Sequence, residues 1–387
     1  MYIMRHIFKN KRRYLAVIVF IISIALLIIT IPNIQNKKTE LSIYDKADQM
    51  IIIGIKGSEI SEKQDKNNSD IVQILNNMNV GGIILFDYDT GTKTFNRNIK
   101  STNQLDTFIE EIKQLAKTPL FIALDEEGGQ VSRLKKLEDY NKTASEKNIS
   151  KLNPQKIEEI FKWRAEQISA YGFNMNFAPT VDLCYQDSVI DKQERCFSNN
   201  PTNVSALALS FSKYMKLKNV APVFKHYPGL GTGKFDTHTG AVDITTSHTD
   251  ADYQPYRDIC DHEQYPIIMV SHSIMKTIDK LPASLSKKHI EKLKSLGCKN
   301  ALIISDDMDM KSITNTFKLK DVLEKSINAG DDLLIFSNNM GKYDKEKYIK
   351  IQTTLHELID SGSIPTERIN EVYEKIMNYK KQYSVVK

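Results

Sequence analysis

Eight short apolar runs rich in Ile and Val recur along the chain, at 50–57, 81–87, 119–126, 174–183, 220–228, 265–272, 300–308 and 331–339. Their apolar character is continuous rather than alternating, which is the pattern of strands covered on both faces, as in a parallel sheet. Segments of helical period lie between them, at 69–78, 103–116, 153–171, 203–217 and 285–296. A strand-then-helix order repeated eight times predicts an α/β fold, a single (β/α)8 TIM barrel over residues 46–387. An open, doubly wound sheet is the alternative. No G-x-G-x-x-G follows the first run, and eight roughly even units favour closure.

Composition narrows the class of protein. With 41% hydrophobic and 26% charged residues, the chain is neither disordered nor collagenous nor polytopic. Its net charge of +5 is concentrated at the N-terminus, where Arg5, Lys9, Lys11, Arg12 and Arg13 meet no acid. The remaining body is formally neutral, which removes the electrostatic case for a nucleic-acid partner. Residues 14–31 then carry no charge and are long enough to span a bilayer. This basic-then-apolar pattern predicts an N-terminal transmembrane helix of the signal-anchor kind. The expected layout is 1–13 as a cytoplasmic basic segment, 14–31 as the anchor, 32–45 as a polar tether and 46–387 as the barrel. The barrel would then lie outside the cytoplasmic membrane, held by one pass, or be secreted if the signal is cleaved.

Cys184, Cys196, Cys260 and Cys298 show no C-x-x-C spacing and no metal-binding pattern. Export would permit a Cys184–Cys196 bridge, but the spacing alone leaves buried free thiols as the reading.

Polar residues gather where the predicted strands end. Asp125, Glu126 and Glu127 close the third run, with Gly128, Gly129 and Arg133 following; Lys225 and His226 close the fifth, His272 the sixth, and Asp306 with Asp307 the seventh. In this kind of barrel the chemistry sits at the C-terminal ends of the strands. A solvated strand end explains any one of them, but not four strand ends together. A carboxylate facing the barrel axis is desolvated enough to serve as nucleophile, base or metal ligand.

The stretch KHYPGLGTGKFDTHTG at 225–240 is the most specific. A phosphate-binding P-loop fails there, because Pro228 stands where the first glycine is needed and Phe235 where the magnesium-holding hydroxyl is needed. A zinc site from His226, Asp236 and His238 lacks any paired-ligand helix. Asp236 two residues before His238 fits a carboxylate that orients and charges an imidazole for proton transfer.

The blocks GGIILF (81–86), LDEEGGQVSRL (124–134), NFAPTVDL (176–183), KHYPGLGTGKFDTH (225–238), LPASLS (281–286) and ISDDM (304–308) occur in collinear order. Together they resemble the signature blocks of glycoside hydrolase family 3, most closely its single-barrel bacterial β-N-acetylhexosaminidases. The resemblance implies Asp306 as nucleophile and His238, partnered by Asp236, as acid/base. It implies sugar binding by Asp125, Arg133, Arg195, Lys225 and His226. No metal or organic cofactor is implied, the partner being a carbohydrate substrate such as a peptidoglycan fragment. Gln130 stands where many members have Arg, Glu194 where many have Asp, and Leu230 where some have His. These departures bear on substrate fit rather than on the reaction. A β-glycosidase of another sugar preference, or a barrel that binds sugar without cleaving it, are the rival readings.

Overall fold

The computed structural model describes residues 41–60, 70–140, 144–230, 240 and 242–386. The segment 14–31, read as a membrane anchor, lies outside the described residues, as do Asp236 and His238. Among the described residues no helix is long and apolar enough to cross a membrane.

Eight parallel strands close into a barrel: β1 (Ile51–Gly54), β2 (Gly82–Ile84), β3 (Phe121–Leu124), β4 (Met175–Asn176), β5 (Ala221–Tyr227), β6 (Ile267–Val270), β7 (Leu302–Asp307) and β8 (Leu333–Phe336). Each pairs with its sequence neighbours, and β1 also pairs with β8, so that Ile51 lies opposite Leu334 and Ile52 opposite Gly82. A closed sheet has no edge to protect, and a helix-covered wall must be apolar outside as well as inside. That requirement produces the unbroken Ile and Val runs. Closure also depends on Gly54, where a Cβ would lie 1.8 Å from the Ser337 carbonyl oxygen.

The helices α1 (Asp70–Asn77), α2 (Thr102–Leu115), α3 (Pro154–Ala170), α4 (Pro201–Leu217), α5 (Gln254–His262), α6 (Lys287–Ser295), α7 (Leu319–Ala329) and α8 (Lys347–Asp360) follow the eight strands in turn. Starts are written in the sequence. Asn153 and Asn200 accept N-cap hydrogen bonds from Lys156 and Asn203, each just before a proline at the first helical position. Helix α3 buries Ile157, Phe161, Ala165 and Ile168, spaced three or four apart, and Phe161 meets Phe211 of α4 edge-on at 5.3 Å. Each buried Ile or Phe among them stabilises by about 2 kcal/mol. A last helix, α9 (Thr366–Gln382), reaches the opposite end of the barrel from the strand C-termini, where buried Lys380 donates to Gln49 Oε1 and the Pro119 carbonyl, both at 2.7 Å.

Two strands carry one extra residue, and both extras fall on candidate functional positions. Between Phe224 and Tyr227 three steps of β5 face two of β6, and between Ile304 and Asp307 three steps of β7 face two of β8. A bulge breaks the in-and-out alternation and re-aims side chains. The bulges contain Lys225 and His226 on one strand and Ser305 and Asp306 on the other.

Two expectations are corrected. The fourth run was expected to be strand through residue 183, but β4 ends at Asn176: the Ala178 N–H turns back to the Asn176 carbonyl at 2.8 Å and Pro179 has no N–H to offer; the chain stays beside β5, its Ala178 and Pro179 carbonyls accepting the Val223 and Lys225 N–H groups at 3.0 and 3.2 Å and Val181 N–H donating to the Lys225 carbonyl at 2.6 Å. The cysteines, expected as free thiols, form two disulfides, Cys184–Cys196 and Cys260–Cys298, with Cα separations of 5.5 and 5.1 Å. Cys184, Asp191 and Cys196 would otherwise group as metal ligands, but the two sulfurs are bonded to each other.

Candidate active site

A cavity of about 290 Å³ opens at the C-terminal ends of the strands. Its wall includes Asp125 after β3, Arg133, Arg195, Lys225 and His226 on β5, and Asp306 on β7. All six of these sequence-expected positions therefore converge on one space. Asp236 and His238 lie outside the described residues; the flanking Leu230 and Val242 both line the cavity.

On the β3 side the chain turns back in a tight hairpin, Glu126–Gly128 against Val131–Ser132. The turn uses Gly129 at φ 59°, where a Cβ would also lie 2.7 Å from Ser145 Cβ. Buried Glu126 holds the hairpin, accepting the N–H groups of Arg133 at 2.9 Å and Leu134 at 3.2 Å. This presents the Arg133 guanidinium to Asp125 at 3.1 Å and over the Phe86 ring at 5.5 Å.

Beneath that layer Glu127 joins two other elements. Arg195 Nε and Nη2 donate to its two oxygens at 2.7 and 2.9 Å, a bidentate pair, and Lys225 Nζ lies 2.6 Å from Oε1. Lys225 also reaches Asp125 Oδ1 at 3.2 Å. Burial pushes the Glu127 carboxyl up, but Arg195 and Lys225 outweigh it and hold the group well below the usual carboxylate range. Asp125 is lowered too, burial being outweighed by Lys225 and Arg133. Arg195 and Lys225 are correspondingly raised despite burial, chiefly by Glu127. The cluster stays ionised near neutrality.

His226 is buried against Asp182, with its Nδ1 2.7 Å from Oδ2. The other oxygen of Asp182 accepts the Leu230 N–H at 2.8 Å. Across the cavity, Asp306 Oδ1 accepts the N–H of Asp307 at 2.8 Å, which fixes the carboxylate plane. The neighbouring Asp307 carboxyl is turned to the β8 end, accepting from the Ser337 N–H at 3.0 Å and from the Ser337 hydroxyl. Burial, with Asp309 adding to it, pushes Asp307 up to about 7. His272 spans from the Ser284 hydroxyl at 2.7 Å to the Asp307 carbonyl at 2.9 Å. It supports the end of β7 and does not line the cavity.

Sequence reasoning left Glu127 and Asp182 out of the site. The signals were a second acid beside Asp125 and an aspartate in an otherwise apolar run. Of the three departures from the family pattern, Gln130 is exposed on the hairpin turn and Glu194 accepts from Ser145 and Asn148. Only Leu230 changes the cavity wall.

A closed parallel barrel with carboxylates and cations converging at its C-terminal mouth defines a (β/α)8-barrel enzyme. Residues 42–379 match the model of the glycosyl hydrolase family 3 N terminal domain, and the chain belongs to that family. It is a glycoside hydrolase. A β-hexosaminidase of Actinobacillus pleuropneumoniae serotype 5b is 29% identical over 342 residues, covering 84% of this chain and 92% of that protein. The β-hexosaminidase LpqI of Mycobacterium tuberculosis is 26% identical over 354 residues, covering 88% and 83%. The solved structure of M. tuberculosis LpqI superposes with a TM-score of 0.74 at 25% identity, over 88% of this chain and 94% of that one. A family 3 β-N-acetylglucosaminidase from Paenibacillus sp. FPU-7 superposes with a TM-score of 0.78 at 23% identity; it covers 89% of this chain, which spans 63% of that protein. The likeness to the Paenibacillus enzyme bears on the fold alone.

Proposed function

We propose that the chain is a retaining β-N-acetylhexosaminidase that releases terminal β-linked N-acetylglucosamine, with peptidoglycan fragments as its substrate class. The observation that supports this most is the convergence of Asp306 with Asp125, Arg133, Arg195, Lys225 and His226 on one cavity. The names of the two relatives point the same way.

In this reading the sugar sits among donors that are already fixed, so their ordering is not charged to the reaction. An Asp306 oxygen forms a bond to the anomeric carbon while the bond to the aglycone oxygen breaks, and His238 gives that oxygen its proton. Water then attacks the glycosyl-enzyme, His238 takes the water proton, and Asp306 leaves as carboxylate. Most glycosidases use a second carboxyl for the proton role. A histidine avoids a second negative charge beside the nucleophile, and Asp236 would orient it and support its charged form.

The basic run before 14–31 supports an anchored enzyme whose barrel faces the cell wall. The test is hydrolysis of aryl β-N-acetylglucosaminide against aryl β-glucoside by the purified protein. Preference for the N-acetylated sugar is expected. Equal or greater β-glucosidase activity defeats the specificity, and no hydrolysis of either favours a binding barrel. Retention in membranes after a high-salt wash, with the barrel accessible from outside, is the expected topology; recovery in the cytosol rejects it.

A further inference from the structure

Asp182 stands where a carboxylate has two different customers. Its side chain is 1% exposed, and its two oxygens are committed separately: Oδ2 to His226 Nδ1 at 2.7 Å and Oδ1 to the Leu230 backbone N–H at 2.8 Å. A carboxylate only accepts, so the nitrogen facing it must carry the hydrogen. The neutral imidazole is thereby held with its proton on Nδ1, and Nε2 is left as an acceptor in a ring that lines the cavity. The same residue ties that ring to the backbone at Leu230, also on the cavity wall.

We infer that Asp182 is a positioning residue that selects the Nδ1–H tautomer of His226, so that the ring offers an acceptor to a hydroxyl group of the bound sugar. This rests on the reading of His226 as a sugar contact.

The chemistry of the amide makes the inference sharp. In Asp182→Asn one of the two acceptors becomes a donor. The Leu230 N–H can only donate, whereas the imidazole can accept or donate. The amide oxygen must then stay with Leu230 and the amide NH2 must face His226. Nδ1 becomes the acceptor, and the proton moves to Nε2. The ring then presents a donor where it had presented an acceptor, at unchanged size and shape. A side chain that served packing alone would leave the tautomer as it was.

The experiment uses the full chain, ¹⁵N-labelled in its 8 histidines. Long-range ¹H–¹⁵N spectra are recorded where the rings are neutral, with His226 assigned by its loss in His226→Gln. The wild type is expected to show Nδ1–H and Asp182→Asn to show Nε2–H. kcat/KM for aryl β-N-acetylglucosaminide should fall about 5- to 150-fold in Asp182→Asn, the range for leaving one buried hydrogen-bonding group without its partner. A wild-type ring already protonated on Nε2 overturns the proposal without any variant, so misfolding of Asp182→Asn does not protect it. Retention of Nδ1–H in a folded Asp182→Asn overturns it as well. A switched tautomer with kcat/KM within twofold of wild type overturns the positioning role. If the wild type hydrolyses no glycoside, the proposed function fails on its own, and the spectra still judge the pairing of Asp182 with His226.

Discussion

Glu127→Gln removes a charge and keeps the shape, which makes it the sharpest test of how this site is held together. Glu127 is 1% exposed and lies within 2.9 Å of three donor nitrogens, two from Arg195 and one from Lys225. The amide supplies one acceptor oxygen, and its NH2 must face a cation. Removing one partner of a buried ion pair costs about 3 to 5 kcal/mol, because the other charge stays behind. With one acceptor kept and Asp125 still 3.2 Å from Lys225, the lower end applies. A loss of about 3 kcal/mol at pH 7 is therefore expected from urea unfolding with disulfides intact. The pH dependence gives an independent check. Glu127 is held below its ordinary value of 4.5, so its stabilisation is complete above about pH 4.5 and is lost as pH falls toward its folded pKa. The gap between wild type and Glu127→Gln should stay constant from pH 6 to 8, then narrow below about pH 4.5 by up to about 1.4 kcal/mol per unit. A gap below about 1 kcal/mol at pH 7, or one that persists undiminished to pH 3, would refute the reasoning.

Three further outcomes are expected. Asp306→Asn should lose turnover by orders of magnitude, and a slow 2-deoxy-2-fluoro substrate should label an Asp306 peptide in the wild type; a label on Asp125 or Asp307 reassigns the nucleophile. His238→Ala should slow substrates with poor leaving groups by about 10² to 10⁴-fold and spare activated aryl substrates, whereas equal loss on both contradicts acid/base catalysis. Cys196→Ser should destabilise by about 3 kcal/mol, from the loop closed across a separation of 12 residues, and raise KM because Arg195 precedes the bridge; unchanged KM would show that the bridge does not position Arg195.

The barrel was legible because its cause is written in every strand: a wall covered on both faces needs unbroken apolar runs, and these recur eight times. Positions at strand ends were legible for a related reason, since Asp125, Lys225, His226 and Asp306 are polar interruptions of apolar runs. The bulges on β5 and β7 were not legible. They depend on register with the neighbouring strand, which local pattern does not encode. Glu127 and Asp182 were missed because they act by pairing with residues distant in the chain, 68 positions to Arg195 and 44 to His226. Of the disulfides, Cys184–Cys196 was raised only as a possibility beside free thiols and Cys260–Cys298 not at all, because pairing is a statement about distance in space.

With Asp306 as the proposed nucleophile, the pairing beneath the cavity also bears on how it would react. Arg133, Arg195 and Lys225 would form a strongly positive wall if nothing opposed them. Asp125 and Glu127 engage all three on the β3–β5 side, and none of the three pairs with Asp306. A cation bound to the attacking carboxylate would draw off the electron density that bond formation uses. In the proposed reaction, holding these cations on a second pair of acids would leave them as fixed donors for a neutral sugar and keep them off the Asp306 carboxylate. On this argument Glu127 does more than stabilise the fold. In Glu127→Gln, Lys225 and Arg195 are free to turn toward the remaining acids, Asp306 among them, and kcat should fall along with stability. Loss of stability with kcat unchanged would mean that the two sides of the cavity are electrostatically independent.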